Sequence, residues 1–135
     1  MTVAEIPTIA IFPEEKLTLD QKIEKWTWQL CRSLEQNYQG KYPNRGEFHL
    51  KFRMEFGRKY IKIIQQDYDT FQDRNEYRDA GVHAFVDRKT GEVYKPASWK
   101  SPAKIVRYDL RLLTDRAKLH DPKFTDWAGG YLYLR

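Results

Sequence analysis

The chain is poor in the residues that most catalytic and metal-binding chemistry needs. Its 135 residues include one cysteine, Cys31, and three histidines, His49, His83 and His120. A lone cysteine excludes an internal disulfide framework and a cysteine zinc site, and it fits a reducing compartment. We read it as a core thiol. The histidines lie far apart, with no His-x-His, His-Glu-x-x-His or His-x-Glu spacing to set two ligands on one face. Neither Gly-x-x-x-x-Gly-Lys nor Gly-x-Gly-x-x-Gly occurs, so a nucleotide cradle is unsupported. Asp67, Asp69 and Asp73 offer oxygens at close spacing, but the stretch lacks the glycine and closing glutamate of an EF-hand. No metal and no cofactor is expected. The opening MTVAEIPTIAIFPEEK has no basic leader, and its apolar run at 9–12 is far too short for a membrane span. The expectation is a soluble, unexported, cytoplasmic protein with no membrane contact.

Aromatic residues, in contrast, are plentiful: nine Tyr, seven Phe and four Trp. Such a chain buries enough surface to fold, and its length suits one domain over 1–135. The net charge of +5 is unevenly spread. Residues 41–62 and 88–111 are strongly basic, whereas 63–87 is acidic. If the fold brings the two basic segments together, they attract phosphate; if the acidic segment lies between them, they are neutralised.

Periodicity supplies the elements. Thr18 to Gln21 has the form of a capping box, and Leu19, Ile23, Trp26, Leu30 and Leu34 then recur at helical spacing. This predicts a helix from Leu19 to about Tyr38, stopping before Gly40 and Pro43. Trp28 falls off the stripe, to be covered by the segment IPTIAIF or left for a partner. From Glu47 the period changes to two, with Phe48, Leu50, Phe52, Met54 and Phe56 on one face. A two-residue turn at Gly57-Arg58 with positive φ at the glycine would return KYIKIIQQDY antiparallel, setting Met54 across from Ile61 and Phe52 across from Ile63. That register also sets Arg53 across from Lys62. Like charges in a ladder call for a carboxylate such as Glu55, a bound anion, or a slipped register.

Residues 67–81 read as a polar, acidic turn or bent strand. A hairpin follows, 82–87 and 92–95, around DRKTG, with Asp87 capping the turn and Gly91 left-handed. Pro96 and Pro102 take the chain out of the sheet. Residues 105–110 form a fifth strand or a short helix, 112–121 a weak helix, and YLYLR an edge strand. The fold class is α+β: an N-terminal helix packed on a mainly antiparallel sheet of four to five strands, with an irregular C-terminal third. The core is expected from Phe48, Leu50, Phe52, Met54, Ile61, Ile63 and the 19–34 stripe.

The run HAFVDRKTGEVYKPASWKSPAKIVRYDL, 83–110, resembles a segment recurring in small uncharacterised proteins of tailed bacteriophages, cyanophages included. YKPASWKSPAK is its most specific part. The resemblance implies an intracellular phage-type product, acting in the host cell, and carries no activity or catalytic residue.

Three function classes remain. Single-stranded nucleic acid is held by cations on phosphates and rings on bases, and 94–108 supplies Tyr94, Lys95, Trp99, Lys100, Lys104, Arg107 and Tyr108, with Arg53, Lys62 and Lys51 as a second patch. The alternative is a protein–protein adaptor or assembly factor, using Trp28, Trp99, Trp127 or a free sheet edge against a phage or host protein. A homodimer is open. A nuclease-like enzyme is third, since only His83 and Asp87, four apart on one strand, and the row Lys51, Arg53, Glu55 hint at a cluster.

Overall fold

The computed structural model describes residues 6–45 and 49–134. Helix α1, Leu19–Lys41, starts on the capping box: the Thr18 hydroxyl accepts the Gln21 N–H at 3.3 Å and the Gln21 side chain accepts the Thr18 N–H at 3.0 Å. It runs through Gly40, past the expected stop, and ends before Pro43. Ile23, Trp26, Leu30 and Leu34 are buried as their spacing requires, joined by Cys31 and Tyr38. Leu19, in the first turn, is not and is 44% exposed.

Five strands follow as an antiparallel meander, each paired with the next: β1 Leu50–Phe56, β2 Tyr60–Asp69, β3 Glu76–Asp87, β4 Glu92–Tyr94 and β5 Tyr108–Asp109. The architecture is therefore α+β, as the periodicity implies. The expected strand residue Phe48 lies outside the described residues. One face of the sheet packs Leu50, Phe52, Ile61, Ile63, Val86 and Val93 against α1, with Met54 half-buried at its border. Helix α2, Leu113–Leu119, closes the core with the buried Leu119.

The β1–β2 register differs from expectation by two residues. Gly57 donates its N–H to Tyr60 O at 2.9 Å, so Arg58 and Lys59 form the tip; Gly57 is not among the residues with positive φ. Met54 therefore faces Ile63 and Phe56 faces Ile61. Lys62 sits across from Glu55, not Arg53, with its ammonium 3.9 Å from that carboxylate. A slip of two keeps every side chain on its face, which is why the core survives the misreading.

Of the two readings of 67–81, the bent strand holds for most of the stretch and the turn for 70–75. β2 and β3 continue as a long arm from Asp67 and Arg78 to Asp69 and Glu76, turning at 70–75. Two bulges interrupt the ladder, where Ile63 and Ile64 pair with Ala84 and Val82, and Gln65 and Gln66 with Gly81 and Asp79. His83 is the extra residue of the first. The bulge turns it toward Phe52, ring centroids 5.1 Å apart, and the Tyr131 hydroxyl, 2.8 Å from Nε2.

The β3–β4 turn forms as expected. Asp87 Oδ1 accepts from the N–H groups of Lys89 (2.8 Å) and Thr90 (3.1 Å), and Gly91 takes φ +76°. The edge strand expected of YLYLR does not form over 131–134, and Arg135 lies outside the described residues. Gly130–Leu132 make a short 3-10 turn that buries Tyr131 and Leu132 beside His83 and Tyr108.

Candidate nucleic-acid interface

In a meander, alternate turns share an end of the sheet. The β1–β2 and β3–β4 turns therefore meet, and both are basic: Arg58 and Lys59 on one, Arg88 and Lys89 on the other. The backbone joins them. Arg88 donates its N–H to the Lys59 carbonyl at 2.9 Å, and its guanidinium donates to the Gly57 carbonyl at 2.7 Å. All four side chains are exposed. Among the described residues, none of the four belongs to an ion pair. The nearest carboxylate in sequence, Asp87, is buried and spends Oδ1 on the turn.

Rings flank this tip. The Arg88 guanidinium lies 5.3 Å from the Phe56 ring centroid and the Lys59 ammonium 5.3 Å from that of Tyr60. Phe56 is 45% exposed. Tyr60 packs edge-on against Phe85 and Tyr94, which anchors it to the sheet.

The residues singled out by composition go elsewhere. Arg53 is committed to a bidentate contact with Asp79 at 3.0 and 2.7 Å and to Glu55 at 3.4 Å. Its partner holds it charged, and the Asp79 carboxyl is lowered chiefly by the same hydrogen bond. Lys62 faces Glu55 and lies over Phe85. Asp79 of the acidic segment and Glu55 of β1 itself thus neutralise Arg53 and Lys62. Tyr94 is half-buried, its hydroxyl raised by burial first and the Glu92 charge second. Arg107 turns inward to donate to the carbonyls of Leu132, at 2.6 Å, and Ile105. Tyr108 donates to the Tyr131 carbonyl at 2.7 Å. Both brace the C-terminal turn.

Lys95, Trp99, Lys100 and Lys104 belong to a loop at the other end of the sheet. A bridge between Pro96 and Pro102 closes it, and the Ser98 hydroxyl accepts from the N–H groups of Lys100 and Ser101 at 3.2 Å each. Trp99 at its tip is 47% exposed. Lys95 lies 4.8 Å from the ring centroid of the exposed Tyr133. So the two basic segments do meet, but through Arg58, Lys59, Arg88 and Lys89. The missed signal was turn parity: the first and third turns of a meander must lie together.

The histidines serve structure. His49 stacks on Tyr38 with centroids 5.9 Å apart, His83 pairs with Tyr131, and His120 Nε2 lies 2.9 Å from the Trp26 carbonyl. Burial lowers the pKa of both His83 and His120. His83 and Asp87 make no pair, because the bulge sends His83 to the helix side while Asp87 caps its turn. Among the described residues no group of three His, Cys, Asp or Glu is placed to hold a metal ion, and no helix is long and apolar enough to cross a membrane. Trp127 packs edge-on against Tyr38 at 5.2 Å and is not a free surface ring.

No curated protein and no solved structure matches the chain at a significant level. One family model does, over residues 11–134, spanning α1, the whole sheet and the C-terminal turn: the chain belongs to DUF7717, a family of unknown function.

Proposed function

We propose that this chain is a binding protein rather than a catalyst, and that the tip formed by Arg58, Lys59, Arg88 and Lys89 holds the phosphate backbone of nucleic acid. The observation that carries this reading is the Lys59–Arg88 backbone bond, which joins two basic turns that have no acidic partner among the described residues. Phosphates supply the counter-charge, and Phe56 and Tyr60 offer ring faces to sugars or bases beside it. The likeness of 83–110 to tailed-phage proteins supports an accessory role of phage type in a host cytoplasm.

Four neutralised phosphates give a log–log salt slope of about −2.8 for a single strand. Affinity for fluorescently labelled oligothymidylate, measured by anisotropy, should then fall roughly fifty-fold between about 50 and 200 mM salt. Replacing all four cations by Ala should flatten that slope. Binding that survives the replacement, or that ignores salt, would sink the reading.

A second reading is favoured by the Trp99 loop. A half-exposed tryptophan on a loop braced by Ser98, in a segment that also exposes Ile105 and Val106, suits a protein contact. Such a contact would be salt-tolerant and would be lost in Trp99→Ala, with the basic tip unaffected.

A further inference from the structure

The two bulges of β3 border a cavity. Ala80 is the extra residue of the second bulge, as His83 is of the first, and a bulge bends the strand that carries it. Residues 80–83 and the C-terminal stretch 127–129 line a space of about 250 Å³. Small residues keep it open: Ala80 and Gly81 on the strand, Ala128 and Gly129 on the C-terminal stretch. An added Cβ at Gly81 would meet nothing within 4 Å beyond its chain neighbours.

Among the described residues of the lining, Lys95 is the one charged side chain, and no carboxylate lines the cavity. Lys95 joins none of the ion pairs of the described residues. Its ammonium lies 3.5 Å from the Pro96 carbonyl and 4.8 Å from the Tyr133 ring centroid. An ammonium carries several donors, so that single carbonyl leaves others for a ligand. The carboxylates that touch lining residues are engaged elsewhere. Asp67 accepts from the Gln65 amide at 3.0 Å, and Asp126 accepts the Ala128 N–H at 3.0 Å and pairs with Lys41 at 3.5 Å. His83 is bonded to the Tyr131 hydroxyl and the Trp127 backbone, and burial keeps its ring neutral at neutral pH.

Size and charge together select the ligand. A cavity of about 150 Å³ holds benzene, whereas drug-sized ligands take about 300–1,000 Å³. The space suits one ring with a small substituent and excludes a nucleotide. Val82, Leu132 and Trp127 give it apolar sides. One unmatched cation calls for one negative charge, and a carboxylate enters apolar surroundings only when it is paired. Inorganic phosphate brings a second charge that nothing in the lining matches, and no apolar body to fill the rest.

We propose that this cavity binds a small organic monocarboxylate with a flat ring body, its carboxylate paired with Lys95 and its ring set against Val82, Leu132 and Trp127. The site lies at the opposite end of the sheet from Arg58, Lys59 and Lys89, so it stands or falls separately from the phosphate reading.

The experiment is a nuclear magnetic resonance titration of the isotope-labelled full chain with sodium benzoate, with benzamide as the neutral isostere and inorganic phosphate as the control anion. Benzoate should shift the Trp127 indole N–H and the Gly81 and Gly129 amides along saturating curves, with a Kd below about 1 mM. Benzamide should bind roughly ten- to a hundredfold more weakly, and phosphate should leave these resonances in place. Lys95→Met, which keeps the aliphatic stem and removes the charge, should lose the same factor for benzoate. Gly81→Leu adds bulk where no neighbour stands in the way and should abolish binding, whereas Ala at Arg58, Lys59 and Lys89 should leave it intact. The proposal is overturned if benzoate gives no saturable shift at these sites by about 10 mM, if benzamide binds equally well, or if Lys95→Met binds benzoate as the unaltered chain does. It is also overturned if the shifts centre on Trp99, or if the three Ala substitutions remove them.

Discussion

The Glu35 carboxylate accepts the backbone N–H of Phe52 at 2.8 Å, and Arg32, 2.8 Å from that same carboxylate, donates to the Phe52 carbonyl at 3.1 Å. Two side chains of α1 thereby stand in for a neighbouring strand at one position of an outer edge. Unpaired strand edges recruit other strands, and covering them is how native sheets avoid it. Glu35→Ala removes the acceptor from a partly buried N–H. It should cost about 1–3 kcal/mol in urea unfolding, and Glu35→Gln, which keeps one acceptor, should cost less. An unchanged urea midpoint in Glu35→Ala would show that the contact contributes nothing.

Gly91 sits at φ +76°, where an added Cβ would meet Ile23 Cγ1 and Leu110 Cβ at 3.4 Å. The space is ordinary, so the backbone is what objects. Gly91→Ala should destabilise by about 1–2 kcal/mol. A neutral result by thermal unfolding would mean that the turn relaxes to another type.

Burial takes the His83 pKa from 6.5 to about 4, and burial lowers that of His120 too. The folded chain keeps these rings neutral while the unfolded chain protonates them first. Stability should hold above pH 6.5 and decline between there and pH 4 for His83, with a slope of about 1.4 kcal/mol per pH unit for each proton linked. Below that range the lowered carboxyls of Asp79 and Asp109, held by Arg53 and Arg111, add their own loss as they protonate. Urea midpoints across pH measure this. His83→Phe should be less stable at neutral pH, because the Tyr131 hydroxyl loses its partner, yet flatter toward acid; an equally steep profile would assign the slope to other groups.

Trp99 is half-exposed on a loop whose own bonds come from Ser98 and the Pro96–Pro102 bridge. Trp99→Ala should therefore move the melting temperature by no more than a surface substitution does, within about 0.5 kcal/mol. A larger loss would show the ring to be part of the fold, and would remove the loop from consideration as a contact surface.

Much of the fold is legible along the chain, because local rules act over a few residues. Thr18 and Gln21 announce α1, Asp87 and Gly91 announce their turn, and the alternation from Leu50 to Phe56 announces a half-buried strand. The errors fall where local signals are ambiguous. A glycine at 57 suggests a turn there, yet moving the tip to Arg58-Lys59 preserves every face, so periodicity cannot separate the two registers. The acidic 67–81 stretch leaves turn and bent strand open because charge suggests solvent, but long antiparallel arms tolerate charge on both faces when the pairs are Arg–Asp, as Arg78 and Asp69 are at 3.3 Å.

By itself the sequence determined the class of architecture, the buried stripe of α1 from Ile23 to Leu34 and the end points of the Asp87–Gly91 turn, since each follows from a periodicity or a cap written into neighbouring residues. Tertiary structure alone decided which cations stay unmatched. Arg53 finds Asp79 twenty-six positions away, while Lys59 and Arg88 meet across two hairpins. Composition counts charges, but their pairing depends on which strands lie side by side, and that is fixed only when the meander closes.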